Sequence, residues 1–140
     1  MILMLEDNAE RVERFTRTLT RFDPPPELRI WRCAWTMIRE AEPLLSQTRL
    51  ISLDHDLDPI DEQSPDPGTG WDFTKWLAAR SPVCPVIVHT SNTDRGNWMM
   101  GEFELGRWKH HRIAPIGDDW IEYDRRRLVR RLMRLKKSPR

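Results

Sequence analysis

Cysteine occurs twice and tyrosine once in this 140-residue chain, and no apolar run is long enough to cross a bilayer. A membrane-spanning helix is therefore excluded. Cys33 and Cys84 stand far apart in apolar stretches, which excludes a disulfide scaffold and fits reduced core thiols of a cytosolic protein. Neither a basic region nor a secretory apolar segment precedes the strand-like Ile2-Leu3-Met4-Leu5, so a cytoplasmic location is expected. Acid is missing from one end only. From Arg125 to Arg140 there are nine Lys or Arg and no Asp or Glu, which leaves 14 basic against 22 acidic side chains on residues 1–124. An acidic body of that kind suits a cation better than a nucleic acid. The basic end reads as a solvated helix face whose long side chains lie over an apolar stripe. Its alternative is a surface for nucleic acid or an acidic partner.

What is present is enough for one packed unit. Hydrophobic residues make up 39% of the chain, seven Trp among them, and neither a repeat nor a linker divides it. Apolar runs predict strands at residues 2–5, 28–33, 50–53, 85–88 and 112–116. Between them, helical spacing predicts helices at 9–22 (Val12, Phe15, Leu19, Phe22), about 35–45 (Trp35, Ile38, Leu44, Leu45) and from Gly70 (Phe73, Trp76, Leu77). Asn8 is suited to cap the first of these. A helix over 94–106 carries Gly96, Gly101 and Gly106, so it is expected to be short or irregular. The last runs from Trp120 to Leu135, with Leu128, Val129, Leu132, Met133 and Leu135 inward. Such alternation implies a doubly wound α/β fold, a five-stranded parallel sheet with helices on both faces. The flavodoxin-like strand order 2-1-3-4-5 fits five strands, and it puts the carboxyl ends of strands one and three together at the switch point.

Those two ends carry the chemistry. Strand one closes on Glu6-Asp7, and strand three closes on Asp54-His55-Asp56. Carboxylates converging in one cleft repel unless a proton or cation intervenes. All-oxygen donors favour a hard ion, Mg²⁺ or Mn²⁺. Strand four ends at His89-Thr90-Ser91-Asn92, and Gly68-Thr69-Gly70 opens a helix, so hydroxyls, amides and backbone N–H groups are offered to phosphate oxygens. Between Asp58 and Pro67 lies an acidic, proline-rich loop expected to be mobile without ligand. His110 and His111 sit in a polar segment and are expected to be solvated.

Leu5-Glu6-Asp7-Asn8, Asp54 and Thr90 together resemble a response-regulator receiver domain. In that family the acid pair and the central Asp bind Mg²⁺, the Asp accepts a phosphoryl group, and the hydroxyl residue helps to hold it. Receivers also carry a Lys before a proline after strand five, where this chain has Ala114-Pro115. A nearer resemblance is to the cyclic-phosphate-processing receiver domains. It rests on Ser52-Leu53-Asp54-His55-Asp56-Leu57, Gly68-Thr69-Gly70-Trp71-Asp72, and His89-Thr90-Ser91-Asn92 with Met99, over residues 2–105.

Two functions fit these residues. One is a metal-dependent phosphoesterase acting on cyclic or modified nucleotide phosphates. Glu6, Asp7 and Asp54 would hold the metal, and His55 or His89 would serve as general acid or base. Asp56 would orient a histidine or complete the metal shell, while Gly68, Thr69, Gly70, Thr90, Ser91 and Asn92 would meet phosphate. The other is a receiver-like switch or binding module with Asp54 as phosphoacceptor. The additional histidines favour the enzyme, since a switch has no use for them.

Overall fold

A computed structural model describes residues 1–138. Five parallel strands form one sheet in the order β2-β1-β3-β4-β5, as the alternation predicts. They are β1 (Ile2–Leu5), β2 (Leu28–Trp31), β3 (Leu50–Leu53), β4 (Val86–Val88) and β5 (His110–Arg112). β1 and β3 pair in register from Ile2↔Leu50 to Leu5↔Leu53, so Glu6 and Asp54 leave the sheet side by side. Both strands are buried on both faces, which is why they read as continuous apolar runs.

Five helices cover the sheet: α1 (Ala9–Leu19), α2 (Ala34–Ala41), α3 (Gly70–Ala78), α4 (Thr93–Leu105) and α5 (Arg126–Met133). Two cores result. One lies under α2, α3 and α4 and includes Met37, Phe73, Met99 and Phe103; the other lies under α1 and α5 and includes Phe15, Trp120, Val129 and Met133. Both cysteines are free. Among the described residues no helix is long and apolar enough to cross a membrane.

Several boundaries differ from the sequence reading. α1 stops at Leu19 rather than 22, and Phe22 instead packs beneath an antiparallel bridge to Lys137. β2 ends at Trp31, and beyond α2 the chain tightens into a 3₁₀ turn, Glu42–Gln47, that accommodates Pro43 at its start. α4 is a regular helix of 13 residues despite its glycines. Gly96 is buried against the Arg112 side chain and lets helix and sheet approach, while Gly101 faces open space. β5 is His110–Arg112, not 112–116. At a sheet edge, half-exposed polar residues make a good strand, so choosing the apolar run misplaced it. His110 and His111 are accordingly half-buried rather than solvated. Before α5, residues Ile121–Arg125 form a π-helical turn.

Two glycines fix how α3 meets the strand ends. Gly68 has φ +72°, a left-handed conformation packed against Trp35. Gly70 donates its N–H to the His55 carbonyl at 2.9 Å, and a Cβ there would overlap the Asp54 carbonyl oxygen. Gly70→Ala is therefore expected to destabilise by roughly 2–4 kcal/mol in denaturant unfolding. Gly101→Ala, with no atom in its way, should instead add about 0.5–1 kcal/mol. Equal effects of the two substitutions would contradict this packing.

Candidate active site

The site grows from the ends of three strands. At the end of β1, Glu6 is fully buried, and both its oxygens are occupied. Oε1 accepts from Arg11 Nε (2.9 Å) and lies 3.2 Å from His89 Nε2. Oε2 accepts from Arg11 Nη2 (2.9 Å) and from the backbone N–H groups of Asp7 (3.0 Å) and Asn8 (3.2 Å). Burial alone would raise the Glu6 carboxyl, but His89 and Arg11 together outweigh it and hold it well below the usual carboxylate range.

Asp54 closes β3 and faces the opposite outcome. Its Oδ1 accepts from the His55 N–H (2.7 Å) and its Oδ2 from Arg11 Nη2 (3.1 Å). Burial and the neighbouring charge of Glu6 push it up to about 8. Asp7 is half-buried, and burial and Glu6 raise it too, against the Asp58 N–H that its Oδ2 accepts at 2.7 Å. One oxygen from each of Glu6, Asp7 and Asp54 lies within 4.8 Å of the others, as the sheet order requires. These are all hard oxygen donors, and the set fits a hard divalent cation. Asp7 and Asp54 keep the open lone pairs, whereas Glu6 is saturated by the protein itself.

His89, at the end of β4, is buried with both ring nitrogens engaged. Nδ1 lies 2.9 Å from Ser52 Oγ, and Ser52 Oγ accepts from Arg125 Nη2 at 3.0 Å. Since that guanidinium only donates, the Ser52 hydroxyl is free to donate to Nδ1, which leaves the proton on Nε2 facing Glu6. A buried file thus runs Arg125–Ser52–His89–Glu6–Arg11–Asp54. Arg125 belongs to the basic end read as a solvated face, yet it is 1% exposed, with its guanidinium 4.0 Å from the Phe15 ring. It occupies the inward stripe of Ile121, Val129 and Met133, spaced by four residues. Burial lowers it to about 9, against the pull of Glu6.

The other predicted residues divide between the cleft and its frame. His55 Nδ1 pairs with Asp56 Oδ1 at 2.9 Å. Asp56 Oδ2 also lies 3.4 Å from Asn92 Nδ2. Asp54, Asp56, His89 and Ser91 line a cavity of about 520 Å³ together with Asp7 and Arg11. Thr90 is buried and its Oγ1 accepts from the Asn92 N–H (3.1 Å), while Asn92 Oδ1 caps α4 by accepting from Arg95 N. His55, itself buried, lies behind Asp56 rather than in this lining, and Gly68, Thr69 and Gly70 do not line the cavity either. Thr69 is committed to a capping box with Asp72 that starts α3. The 58–67 loop is held at both ends, by the Asp58 N–H on Asp7 and by the Pro67 carbonyl, which accepts from Ala34 N at 2.7 Å.

Arg11 escaped the sequence reading, and so did Arg32, which also lines the cavity. One signal was available for Arg11. It sits in the first turn of α1, where the helix dipole disfavours a cation, and such a local violation marks a tertiary partner.

With this geometry in view, comparison with known proteins identifies first a fold and then a family. The response regulator receiver domain from Rhodospirillum rubrum aligns at TM-score 0.71 with 18% identity, covering 97% of this chain and 95% of that one. The phosphorylated cyanobacterial phytochrome response regulator RcpA aligns at 0.68 with 14% identity, covering 92% and 89%. The Mn²⁺-bound form of response regulator Rcp1 aligns at 0.63 with 15% identity, covering 99% and 98%. The fold is that of a receiver domain. Residues 1–104 match the family described as "Cyclic-phosphate processing Receiver domain", and the chain belongs to that family. No curated protein matches it by sequence.

The two acids give the metal-free protein a definite pH response. Asp54 titrates higher folded than its unfolded value of about 4, so the folded state holds the extra proton between about pH 4 and 8 and stability falls as pH rises through that window. Glu6 acts oppositely, and its contribution is lost only as pH falls below the usual carboxylate range. Chemical unfolding with chelator from pH 5 to 8 should show a decline of order 1–3 kcal/mol that Asp54→Asn flattens. An unchanged slope in the variant would reject the raised Asp54.

Proposed function

We propose that this cleft processes cyclic or modified phosphates of nucleotides with a divalent cation, Mg²⁺ or Mn²⁺. The observation that carries the reading is the cluster of Glu6, Asp7 and Asp54 beside the His55–Asp56 pair, in a chain whose family is described by cyclic-phosphate processing. Asp7 and Asp54 would hold the ion with their open oxygens, and Glu6 would fix Arg11 and contribute charge. When bound, the ion supplies positive charge to phosphate oxygens and acidifies water. A manganese-bound receiver among the structural neighbours supports the ion's class.

The proton transfers then fall to His55. Its Nδ1 is tied to Asp56, which orients the ring and leaves Nε2 to take or give a proton. His89 is a positioning residue here, because Ser52 and Glu6 already engage both nitrogens. Ser91, exposed on the cavity wall, is placed to meet a phosphate oxygen, and Arg32 on the same lining adds charge. Thr90 and Asn92 shape that wall through their own hydrogen bonds.

A second reading keeps Asp54 as a phosphoacceptor. It is favoured by the receiver fold and by a phosphorylated neighbour. The exposed Ala114 weighs against it, since it gives the cleft no cation where receivers carry Lys.

Two measurements separate the readings. Mg²⁺ or Mn²⁺ at about a hundred times its dissociation constant should stabilise the protein by about 2.7 kcal/mol in thermal unfolding, and Asp7→Asn should abolish that gain. Hydrolysis of 2′,3′- and 3′,5′-cyclic nucleotides should fall at least about 10²-fold in His55→Gln while the metal-induced stabilisation persists. Stable phosphorylation of Asp54 by acetyl phosphate, with no turnover of either cyclic class, would replace the enzyme by the switch.

A further inference from the structure

A second cavity, of about 550 Å³, lies between the carboxyl end of α1 and α5 and shares no lining residue with the acidic cleft. Arg17, Arg21, Arg126, Arg127, Arg130 and Lys137 line it, and among the described residues no carboxylate does. It shares Arg127 and Arg130 with an adjoining recess of about 560 Å³, which adds Arg131 and Arg134. Asp124 is the one acid lining that recess.

The chain builds this trough deliberately. After α5, Arg134 adopts a left-handed cap (φ 53°) that turns the chain back. The following segment then zips onto the exit of α1: Asp23 N donates to the Lys136 carbonyl (3.1 Å), and Ser138 N donates to the Arg21 carbonyl (2.9 Å). Lys137 and Arg21 are thereby fixed on one wall and the α5 arginines on the other. Of the eight cations, only Arg17 has a carboxylate within 4.0 Å among the described residues, namely Glu13 at 2.6 Å. Like charges held this close repel, and a polyanion lying along them relieves the repulsion.

We propose that the α1–α5 face binds single-stranded nucleic acid through its phosphodiester backbone, without regard to sequence. Two adjoining basic cavities that share Arg127 and Arg130 suit an extended polyanion better than one phosphate. The lining aromatic, Phe22, is 3% exposed and offers no face for a base to stack on, so contact is confined to the backbone. A protein partner would need a cluster of exposed apolar anchors, and beside the buried Phe22 the two linings offer only the half-buried Leu128 and Leu135 among many arginines. The acidic body, at −8 over residues 1–124, repels a nucleic acid elsewhere and orients it to this face. This inference is independent of how the acidic cleft is read.

The test uses the full chain and a labelled RNA of about 20 nucleotides ending in ordinary hydroxyls, followed by fluorescence anisotropy. Binding should weaken at least tenfold between about 50 and 200 mM salt. The double variant Arg126→Glu/Arg130→Glu should lose at least tenfold in affinity at low salt and keep its melting temperature in the absence of RNA. Arg29→Glu, an exposed basic site on β2, serves as control and should bind as the parent does. Absence of binding at low salt, equal binding by the double variant, or equal loss in the control would overturn the proposal. So would equal affinity for a poly-glutamate peptide of the same charge, which would make this a face for acidic proteins.

Discussion

A carboxylate with no exposure at the end of a central strand is the constraint around which this protein is arranged. Left alone, Glu6 would cost several kcal/mol of desolvation, and it would take up a proton instead. It stays charged because Arg11 grips it with two nitrogens, two backbone N–H groups point at it and His89 lies against it. Each of those partners then carries an obligation of its own. Arg11 must leave the exposed face of α1 and reach Asp54, and His89 must be held in one tautomer by Ser52.

The second consequence lies in the interior beneath α5. Ser52 needs a donor so that its hydroxyl proton can serve His89, and Arg125 provides it from a stripe that is otherwise apolar. The π turn, closed by Arg125 N on the Trp120 carbonyl at 2.9 Å, widens the helix where that guanidinium enters. Phe15 lies against its face, and Trp120 stands edge-on to Phe15 with ring centroids 5.7 Å apart. A buried cation near a buried anion, joined through two neutral groups, is sounder than either charge alone. The terminal helix is in this way tied to the strand ends although its residues lie outside the family match.

Much of this was legible in the sequence, and the failures share one cause. Apolar runs located β1, β3 and β4 because those strands are buried on both faces. Acids at their ends, read with the strand order, brought Glu6, Asp7 and Asp54 together before any coordinates. β5 was misplaced because an edge strand of His110, His111 and Arg112 carries no apolar pattern. Arg125 was hidden in a basic run, since charge composition cannot tell a solvated guanidinium from one that serves a buried file. Gly68-Thr69-Gly70 resembles a phosphate cradle, but the nearer demand is steric: Gly70 lets α3 start against the Asp54 backbone, and Thr69 is spent on Asp72. Long-range partners, not local propensity, decided every one of these cases.

Charge neutrality in the cleft connects these parts to function. Three acids gather there, and Arg11 is the cation bridging two of them. A deficit remains, and in the metal-free protein a proton on Asp54 lessens it, in keeping with an acid that burial and Glu6 raise to about 8. A divalent ion at Asp7 and Asp54 would fill it as well, and it would have to displace that proton. Proton and ion would therefore be alternatives at one site, with Arg11 common to both states. With Arg11, a divalent ion would just balance the three acids, so a phosphate would meet less repulsion once the ion had replaced the proton. On the proposed reading, electrostatics would then favour the cation binding before the phosphate.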